Sequence, residues 1–296
     1  MTERITSGQN PKIKRLLALQ QKSSARRESG LFVVEGRREL QHCIDAGFEI
    51  DSVFFCSELF AETEAAAASG NRATLGNVRG GTASEAQRWG PKDVSRGWLP
   101  LRSEQVKVFE VTREVYGKIA MRDSTEGVIA EVRSHTASLA DLRLGEHPLI
   151  VVLERVEKPG NLGAVLRSAD AAGADAVIVC DPLTDLWNPN LIRASIGAIF
   201  TVPCVACSTQ EAIAFLQAHG IKILTAQLQD SSLYYDTDMR CGVALVMGTE
   251  STGLTEQWRR AADAHIRIPM LGALDSLNVS VSAAILLFEA IRQRNG

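Results

Sequence analysis

The residues whose side chains could perform chemistry lie in three short polar turns of the C-terminal half. Asn161 and Arg167 belong to the first turn, Glu250 to the second, and Ser276 and Asn278 to the third. Amides and hydroxyls orient ligands, a carboxylate can accept a proton, and a guanidinium stabilises negative charge. We therefore expect a ligand-binding or catalytic site wherever the fold brings these turns together.

The third turn precedes a long apolar helix, which we predict to begin near Ser276 and to be buried. Ser276 is a favourable N-cap residue, and the positions after it, such as Val281 and Leu286, are apolar on nearly every side. The free N–H groups and the positive dipole end of this helix could hold a ligand. An ordinary capped core helix is the alternative interpretation.

Alternating strand and helix patterns from residue 147 onward predict the element that positions the turns. Buried strands such as PLIVVLER and GVALVMG are each followed by a turn and a helical pattern, which is typical of a mostly parallel sheet. Ligands bind beyond the carboxyl ends of the strands in such sheets, and each polar turn directly follows a strand. We predict an α/β domain over residues 147–296 with its site at that edge.

The N-terminal part predicts a second, smaller α/β domain over residues 1–135. It opens with a helix over about 10–22, the strand LFVVEG, a helix over 37–46 and the strand DSVFFC. From 61 to 100, Ala, Gly and Ser dominate without periodicity, which predicts a long mobile loop. Residues 136–146 are predicted to be a linker.

Composition and charge narrow the class of protein. The chain has 296 residues, a net charge of −3 and 45% hydrophobic residues. It has no apolar run of about 18 residues and no signal-peptide core, so we expect a cytoplasmic protein without membrane spans. The six cysteines lie mostly in apolar runs, which predicts reduced thiols. Cys204 and Cys207 form a C-x-x-C with no second pair and no nearby histidine, which disfavours a metal site.

A local basic stretch runs from Arg4 to Arg27 without an acidic residue. It includes Lys12, Lys14 and Arg15 on a predicted helix. Such a stretch either forms a solvated helix face or binds RNA phosphates, since lysine and arginine supply the charge that nucleic acids require.

The three turns resemble, in chain order, the signature motifs of the SpoU/TrmH family of RNA ribose 2′-O-methyltransferases. GNLGAVLRSA resembles the first motif, MGTESTGL the second and IPMLGALDSLNVSVSAA the third. The opening ITSGQNPKIKRLLAL and LFVVEGRREL resemble the small RNA-binding domain, related to a class of ribosomal proteins, that precedes the catalytic domain in many members. The resemblance implies a SPOUT-like fold with a C-terminal trefoil knot, and a homodimer whose subunits complete the site together.

The same resemblance implies transfer of a methyl group from S-adenosylmethionine to a ribose 2′-hydroxyl, with large-subunit (23S) ribosomal RNA as the expected substrate. The implied catalytic positions are Asn161, Arg167, Glu250, Ser276 and Asn278. The implied cofactor-binding positions are Gly248, Glu250, Ile268, Met270, Ser276 and Leu277. The candidate RNA contacts are Lys12, Lys14 and Arg15 of the basic stretch and Arg193 in NPNLIRASIGAIF, where the family has another recurrent segment.

Chemistry favours charge stabilisation as the role of Arg167. A ribose hydroxyl is a very weak acid, so its attack on a methylsulfonium carbon needs a base or stabilisation of the developing oxyanion. The sulfonium is already a good electrophile, so no metal is required, and none of the five histidines lies in the three motifs. Arg167 matches an arginine often proposed as the base, but guanidinium stays protonated in proteins. We therefore favour binding of a neighbouring phosphate and stabilisation of the alkoxide.

Three alternatives stay open from the sequence. Transfer RNA is the second candidate substrate for the same chemistry. A non-catalytic RNA-binding protein on the same fold would have no need for all five catalytic positions. An NAD-dependent enzyme would require G-x-G-x-x-G, whereas the turn PGNLGAV places Gly160 and Gly163 out of register, although Asp181 does end the second strand.

Overall fold

The computed structural model describes residues 2–68, 106–122, 126–249 and 252–296. They belong to two compact units, Met1–Ser134 (unit 1) and His135–Gly296 (unit 2). A helix reaches Ala68, inside the segment for which we predicted a loop, and the remainder of that segment lies outside the described residues. Within the described ranges, no helix has both the length and the apolar character needed to cross a bilayer.

Unit 1 is built on a five-stranded mixed sheet. Its strands are β1 (Glu3–Ile5), β2 (Leu31–Glu35), β3 (Ile50–Phe55), β4 (Lys107–Val111) and β5 (Val128–Arg133). Its helices are α1 (Pro11–Gln21), α2 (Ser23–Ser29), α3 (Arg37–Asp45), α4 (Ser57–Ala68) and α5 (Arg113–Ile119). The strand order is β1-β4-β3-β5-β2; β4 is parallel to β1 and β3, and β5 is antiparallel to β3 and β2.

Helix α1 follows directly from its sequence. The side chain of Asn10 accepts a hydrogen bond of 2.9 Å from the backbone N–H of Lys12, and Pro11 occupies the first helical position. Ile13, Leu16 and Leu19 are buried against the sheet core, so the charged residues between them face outward.

Unit 2 contains a seven-stranded sheet whose strand pairs are all parallel. Its strands are β6 (Leu149–Glu154), β7 (Ala176–Cys180), β8 (Cys204–Cys207), β9 (Lys222–Ala226), β10 (Ser232–Leu233), β11 (Val243–Met247) and β12 (Ala264–Arg267). Its α-helices are α6 (Pro159–Ala171), α7 (Pro189–Ser195), α8 (Ala198–Thr201), α9 (Thr209–Ala218), α10 (Glu256–Ala261) and α11 (Val279–Asn295), with 3-10 turns at Leu139–Asp141 and Tyr234–Asp236. The order is β10-β12-β9-β11-β6-β7-β8.

The apolar runs of the sequence become the centre of this sheet. Every residue of β6, β7 and β11 is buried, as expected for parallel strands covered on both faces. Helices α9 and α10 contribute Leu216 and Trp258 to a core that also contains Ile150 and Ile178. Helices α6 and α11 pack against each other and against β6, β7 and β11. The predicted α/β fold with a smaller N-terminal domain is confirmed, and the trefoil knot stays a prediction.

Two helix predictions in unit 2 were wrong. The sequence PNLIRASIGAIF predicts a single helix, but Ile196 and Gly197 adopt left-handed backbone angles (φ 56° and 89°) that separate α7 from α8. The C-terminal helix begins at Val279 and is capped by Asn278, not Ser276.

Burial of α11 is also only partial. Val281 and Phe288 are 46% and 49% exposed, because the helix packs on unit 2 with one side only. The prediction that α11 is buried on every side is therefore wrong for the part of the chain that the structure describes.

Candidate active site

The three polar turns follow strands β6, β11 and β12, and all three lie at the carboxyl edge of the parallel sheet. β6 and β11 are neighbours, whereas β12 is separated from β11 by β9. The first and second turns are therefore adjacent by topology alone. The third turn reaches them because the chain after β12 returns to α11, which packs on α6.

A contact between two asparagines joins the first turn to the third. The side-chain amide of Asn278 donates a 3.2 Å hydrogen bond to Asn161 Oδ1, across 117 residues of sequence. The other end of the Asn278 amide caps α11, because Asn278 Oδ1 accepts from Ser280 N at 2.9 Å and from Ser280 Oγ at 2.6 Å. The starts of α6 and α11, each with unsatisfied N–H groups and a positive dipole end, therefore converge.

The second turn folds back tightly on itself. Gly253 N donates to Thr249 O at 3.0 Å, and the hydroxyls of Thr249 and Thr252 lie 2.8 Å apart. A Cβ atom at Gly248 would lie 2.3 Å from the backbone carbon and oxygen of Gly253, so only glycine fits this approach. The candidate Glu250 lies outside the described residues.

A cavity of about 110 Å³ lies where the first two turns meet the start of α11. Its lining residues come from β6, the first turn, the second turn and α11: Leu153, Glu154, Val156, Glu157, Lys158, Asn161, Gly248, Thr249 and Val279. The cavity thus contains the candidates Asn161 and Gly248, together with charged residues of both signs.

A second, more open hollow of about 490 Å³ borders the loop after β12. Ile268 and Met270 line it beside apolar Leu228 and Leu233. Its volume falls in the range of small-molecule sites, and its apolar wall suits a purine or thioether group. The candidates Ser276 and Leu277 line neither of the two cavities; Ser276 is exposed and Leu277 is 37% exposed.

These features fit S-adenosylmethionine. The hollow around Ile268 and Met270 has room for a nucleoside, and Gly248 of the second turn lines the neighbouring cavity. Among the residues that the structure describes, no cluster of three or more His, Cys, Asp or Glu side chains has the arrangement of a metal site.

Arg167 lies exposed on α6, downstream of Asn161. Within the described ranges its guanidinium has no hydrogen bond or ion pair, so a helix-face ion pair does not account for it there. It is available to an anionic ligand.

The C-x-x-C of the sequence does not form one site. Cys204 and Cys207 lie on β8, where side chains three residues apart point to opposite faces of the sheet. Cys207 is instead in register with Cys180 of β7. A hydrogen bond from the Cys180 thiol lowers the pKa of Cys207.

The basic stretch is partly neutralised by acids from elsewhere in unit 1. Lys12 forms a 2.7 Å ion pair with Glu3. Arg15 pairs with Asp51 at 3.2 Å and contacts the fully buried Glu131 of β5. Lys14 is exposed and has no ion pair within the described part of the chain. Sequence reasoning missed the pairs of Arg15 because Asp51 and Glu131 lie on β3 and β5, 36 and 116 residues away. It missed the pair of Lys12 because Glu3 lies on β1, just before the basic stretch begins.

Arg15→Ala is therefore expected to destabilise unit 1 by about 1–3 kcal/mol, because it leaves the carboxylate of Glu131 buried without its cationic partner. Lys14→Ala should leave the free energy of unfolding unchanged and lower the salt dependence of RNA binding by about one counterion. Urea unfolding and filter binding over a salt series measure both effects. Equal stability of the two variants would mean that Arg15 is not structural.

The remaining RNA candidate, Arg193, is exposed on α7. Its neighbour Ser195 is buried, and the Ser195 hydroxyl donates to Ile192 O at 2.8 Å. Ser195 thus supports the end of the helix.

Sequence reasoning missed Glu154 at the end of β6. Its carboxylate is only 3% exposed and accepts hydrogen bonds from Thr255 and Thr209. The signal was present in LIVVLE, where an acid ends an otherwise apolar buried strand.

Comparison with known proteins agrees with this architecture. Residues 148–288 match the SpoU rRNA Methylase family, and residues 10–130 match the MRM3-like substrate binding domain. The 23S rRNA (guanosine-2′-O-)-methyltransferase RlmB of Ralstonia nicotianae is 36% identical over 195 residues, covering 64% of this chain and 78% of that protein. RlmB of Vibrio vulnificus is 37% identical over 201 residues, covering 66% and 81%.

Solved structures show the same likeness over nearly the whole chain. An RNA 2′-O ribose methyltransferase has a TM-score of 0.75 at 36% identity and covers 99% of this chain and 100% of its own. An AdoMet-bound rRNA methyltransferase from Sinorhizobium meliloti has a TM-score of 0.78 at 30% identity, covering 98% of each chain. With its motif turns assembled at one sheet edge and both units matched, the chain belongs to the SpoU rRNA methylase family.

Proposed function

We propose that this protein transfers a methyl group from S-adenosylmethionine to a guanosine ribose 2′-hydroxyl of 23S ribosomal RNA. Family membership supports the reaction, and the names of the RlmB relatives support the nucleotide and the RNA. The observation that carries the proposal is the Asn278–Asn161 hydrogen bond, because it unites the first and third motifs beside Gly248 of the second. A ribosomal substrate is met in the cytoplasm, where we expect the protein to act.

The cofactor-binding residues of the proposal are Gly248, Glu250, Ile268, Met270, Ser276 and Leu277. When bound, the cofactor supplies a methyl group on a sulfonium centre. Gly248 and the hollow beside Ile268 and Met270 support its placement between the second and third turns. Ser276 and Leu277 belong to the loop that leads into α11, and Glu250 belongs to the second turn.

In the proposed reaction the side chains orient a ribose and stabilise charge. Asn161 and Asn278 hold each other, which fixes the direction of both amides for hydrogen bonding to the substrate. Arg167 donates to the 2′-oxygen as negative charge develops on it, or to the adjacent phosphate. A protonated guanidinium acts as a donor in this scheme and does not remove the hydroxyl proton. That proton would pass to solvent water as the bond from the 2′-oxygen to the methyl carbon forms and the bond from the methyl carbon to sulfur breaks, which leaves S-adenosylhomocysteine.

Unit 1 is proposed to bind the RNA element that contains the target. The match of residues 10–130 to a substrate-binding domain supports this role, and Lys14 is the exposed cation of unit 1 that we assign to phosphate contact. Arg193, exposed on α7 of unit 2, is assigned to a separate phosphate contact. The side chains of Lys12 and Arg15 are 36% and 42% exposed. Each can therefore make a weaker contact with an RNA phosphate in addition to its ion pair.

We also propose a homodimer that pairs through α11. Val281 and Phe288 are seven residues apart, so they share one helix face, and both remain about half exposed. Large apolar side chains in a row on a surface mark a protein interface. Phe288→Glu is expected to convert the dimer to a monomer in sedimentation equilibrium, because burying an unpaired carboxylate opposes pairing.

The matched control for dimerisation is Asn295→Glu, which adds the same charge at an exposed polar position near the end of α11. It should leave the dimer intact. A monomeric wild-type protein, or a dimer that survives Phe288→Glu, would refute this interface.

The reaction is tested by incubating the protein with labelled S-adenosylmethionine and either ribosomal or transfer RNA from a strain that lacks it. We expect label only in 23S RNA, as a 2′-O-methylguanosine after nucleotide mapping. Label in transfer RNA would instead establish the second candidate substrate. Cofactor binding without methylation of free RNA, precursor ribosomal particles or transfer RNA would favour the non-catalytic RNA-binding protein.

A further inference from the structure

The carboxylate of Glu154 is anchored by three hydrogen bonds at the end of β6. Glu154 Oε2 accepts from the backbone N–H of Thr255 at 2.8 Å, and Oε1 accepts from the Thr255 hydroxyl at 2.6 Å and from the Thr209 hydroxyl at 3.4 Å. All three donors are neutral, and within the described residues Glu154 forms no ion pair. Burial of a carboxylate without a cation is costly, so its contacts require an explanation beyond packing.

The bonds of Glu154 lead to the second motif turn. That turn begins at Gly248, directly after β11, and Thr255 lies at its far end, immediately before α10. β11 and β6 are paired in the sheet, so one end of the turn is held by the strand ladder and the other by Glu154. Within the turn, Gly253 N donates to Thr249 O.

Glu154 also lies beside the proposed reaction site. It lines the 110 Å³ cavity together with Asn161 of the first turn and Gly248 and Thr249 of the second. The same cavity is lined by Glu157 and Lys158, so its charged groups have both signs. A change in the anchoring of Thr255 would therefore alter the wall of the cavity as well as the path of the turn.

We propose that Glu154 is a positioning residue for cofactor binding, which fixes Thr255 at the end of the second turn and through it the placement of residues 252–255 beside Gly248. This inference rests on the proposed function. Glu154 acts through Thr255 and does not touch the cofactor. It therefore acts equally on S-adenosylmethionine and on the demethylated product, S-adenosylhomocysteine, although only the first carries the sulfonium charge.

Glutamine tests this role because it preserves the geometry without the charge. Its carbonyl oxygen can accept from Thr255 N, and its amide can donate to the Thr255 hydroxyl after that hydroxyl rotates. Glu154→Ala removes all of these bonds. A positioning role thus predicts rescue by glutamine, whereas direct attraction of the sulfonium by a negative charge predicts no rescue.

The experiment measures the dissociation constants of S-adenosylmethionine and S-adenosylhomocysteine by calorimetry, with urea unfolding of each variant as a stability check. For Glu154→Ala we expect both ligands to bind about tenfold more weakly, the effect of losing one charge-assisted hydrogen bond. Glu154→Gln should stay within about threefold of wild type. Thr209→Val is the matched control and should bind both ligands normally, because it removes the longest of the three bonds to Glu154 and a 2.8 Å bond to Asp181 but leaves both bonds from Thr255.

Two outcomes would overturn the inference. Wild-type affinity of Glu154→Ala for both ligands would show that the anchor is irrelevant to binding. Weaker binding of S-adenosylmethionine alone, without rescue by glutamine, would assign Glu154 a direct charge contact instead. If Glu154→Ala does not fold, Thr255→Val is the substitute variant, because it keeps the carboxylate and removes only the hydrogen bond from the Thr255 hydroxyl. Both ligands should then bind severalfold more weakly. Absence of cofactor binding by the wild-type protein would refute the proposed function itself, which separates the two failures.

Discussion

Arg167→Ala is expected to lower kcat for RNA methylation by about 100- to 1,000-fold, the loss typical of removing one donor that stabilises a developing oxyanion. The cofactor dissociation constant and the free energy of unfolding should not change. The physical reason is the position of Arg167, which is exposed on α6 and makes no hydrogen bond or ion pair with any other described residue. Removing its guanidinium therefore breaks nothing in the folded protein and acts only on a bound substrate.

Single-turnover methylation of 23S RNA measures this effect separately from RNA binding. Arg259→Ala is the matched control, because Arg259 is also an exposed helical arginine of unit 2 without a described partner, but it lies on α10. It should retain wild-type kcat. Arg167→Lys should recover only a small part of the loss, since an ammonium cannot reproduce a planar two-donor contact. Full activity of Arg167→Ala would exclude the catalytic role.

Gly248→Ala is expected to weaken S-adenosylmethionine binding by at least about tenfold, because the added Cβ would lie 2.3 Å from the backbone of Gly253. The backbone atoms of Gly253 cannot rotate away from the added Cβ as the end of a flexible side chain could. The second turn must open to relieve the overlap, and the surface that it offers to the cofactor changes with it. Methylation at saturating RNA should fall in parallel.

Gly117→Ala provides the control for Gly248→Ala. Gly117 lies on α5 of unit 1, away from the motif turns, and a Cβ there would meet no atom within 4 Å. Its affinity for the cofactor should stay within about twofold of wild type. Calorimetry measures the dissociation constant of S-adenosylmethionine for both variants. Unchanged binding by folded Gly248→Ala would mean that the second turn does not hold the cofactor.

The fold was largely predictable because local pattern and burial agree in unit 2. Fully apolar runs become β6, β7 and β11, and their parallel pairing follows from the intervening helices. The break at Ile196 was not predictable from periodicity. It accompanies a close approach of two helices, where a Cβ on Gly163 would lie 2.6 Å from Ala194 Cβ.

The site was predictable in its location and less so in its contacts. The carboxyl-edge rule brings the first two turns together, but the bond from Asn278 to Asn161 depends on the path of the chain after β12. Ser276 and Asn278 are equally good caps by residue type, so only the backbone of the loop selects Asn278. The ion pairs of Arg15 were likewise not predictable from the sequence, because Asp51 and Glu131 are distant from it along the chain.

The bond between Asn161 and Asn278 also has a consequence for the order in which the protein acquires function. It closes a contact over 117 residues, and long-range contacts form late because the chain must first lose the entropy of the intervening segment. On a translating ribosome, α11 is made after every other described helix of unit 2. A nascent chain can therefore complete β6, α6 and the second turn and still lack the cap that aligns Asn161, so competence for methylation should appear as a final step of folding.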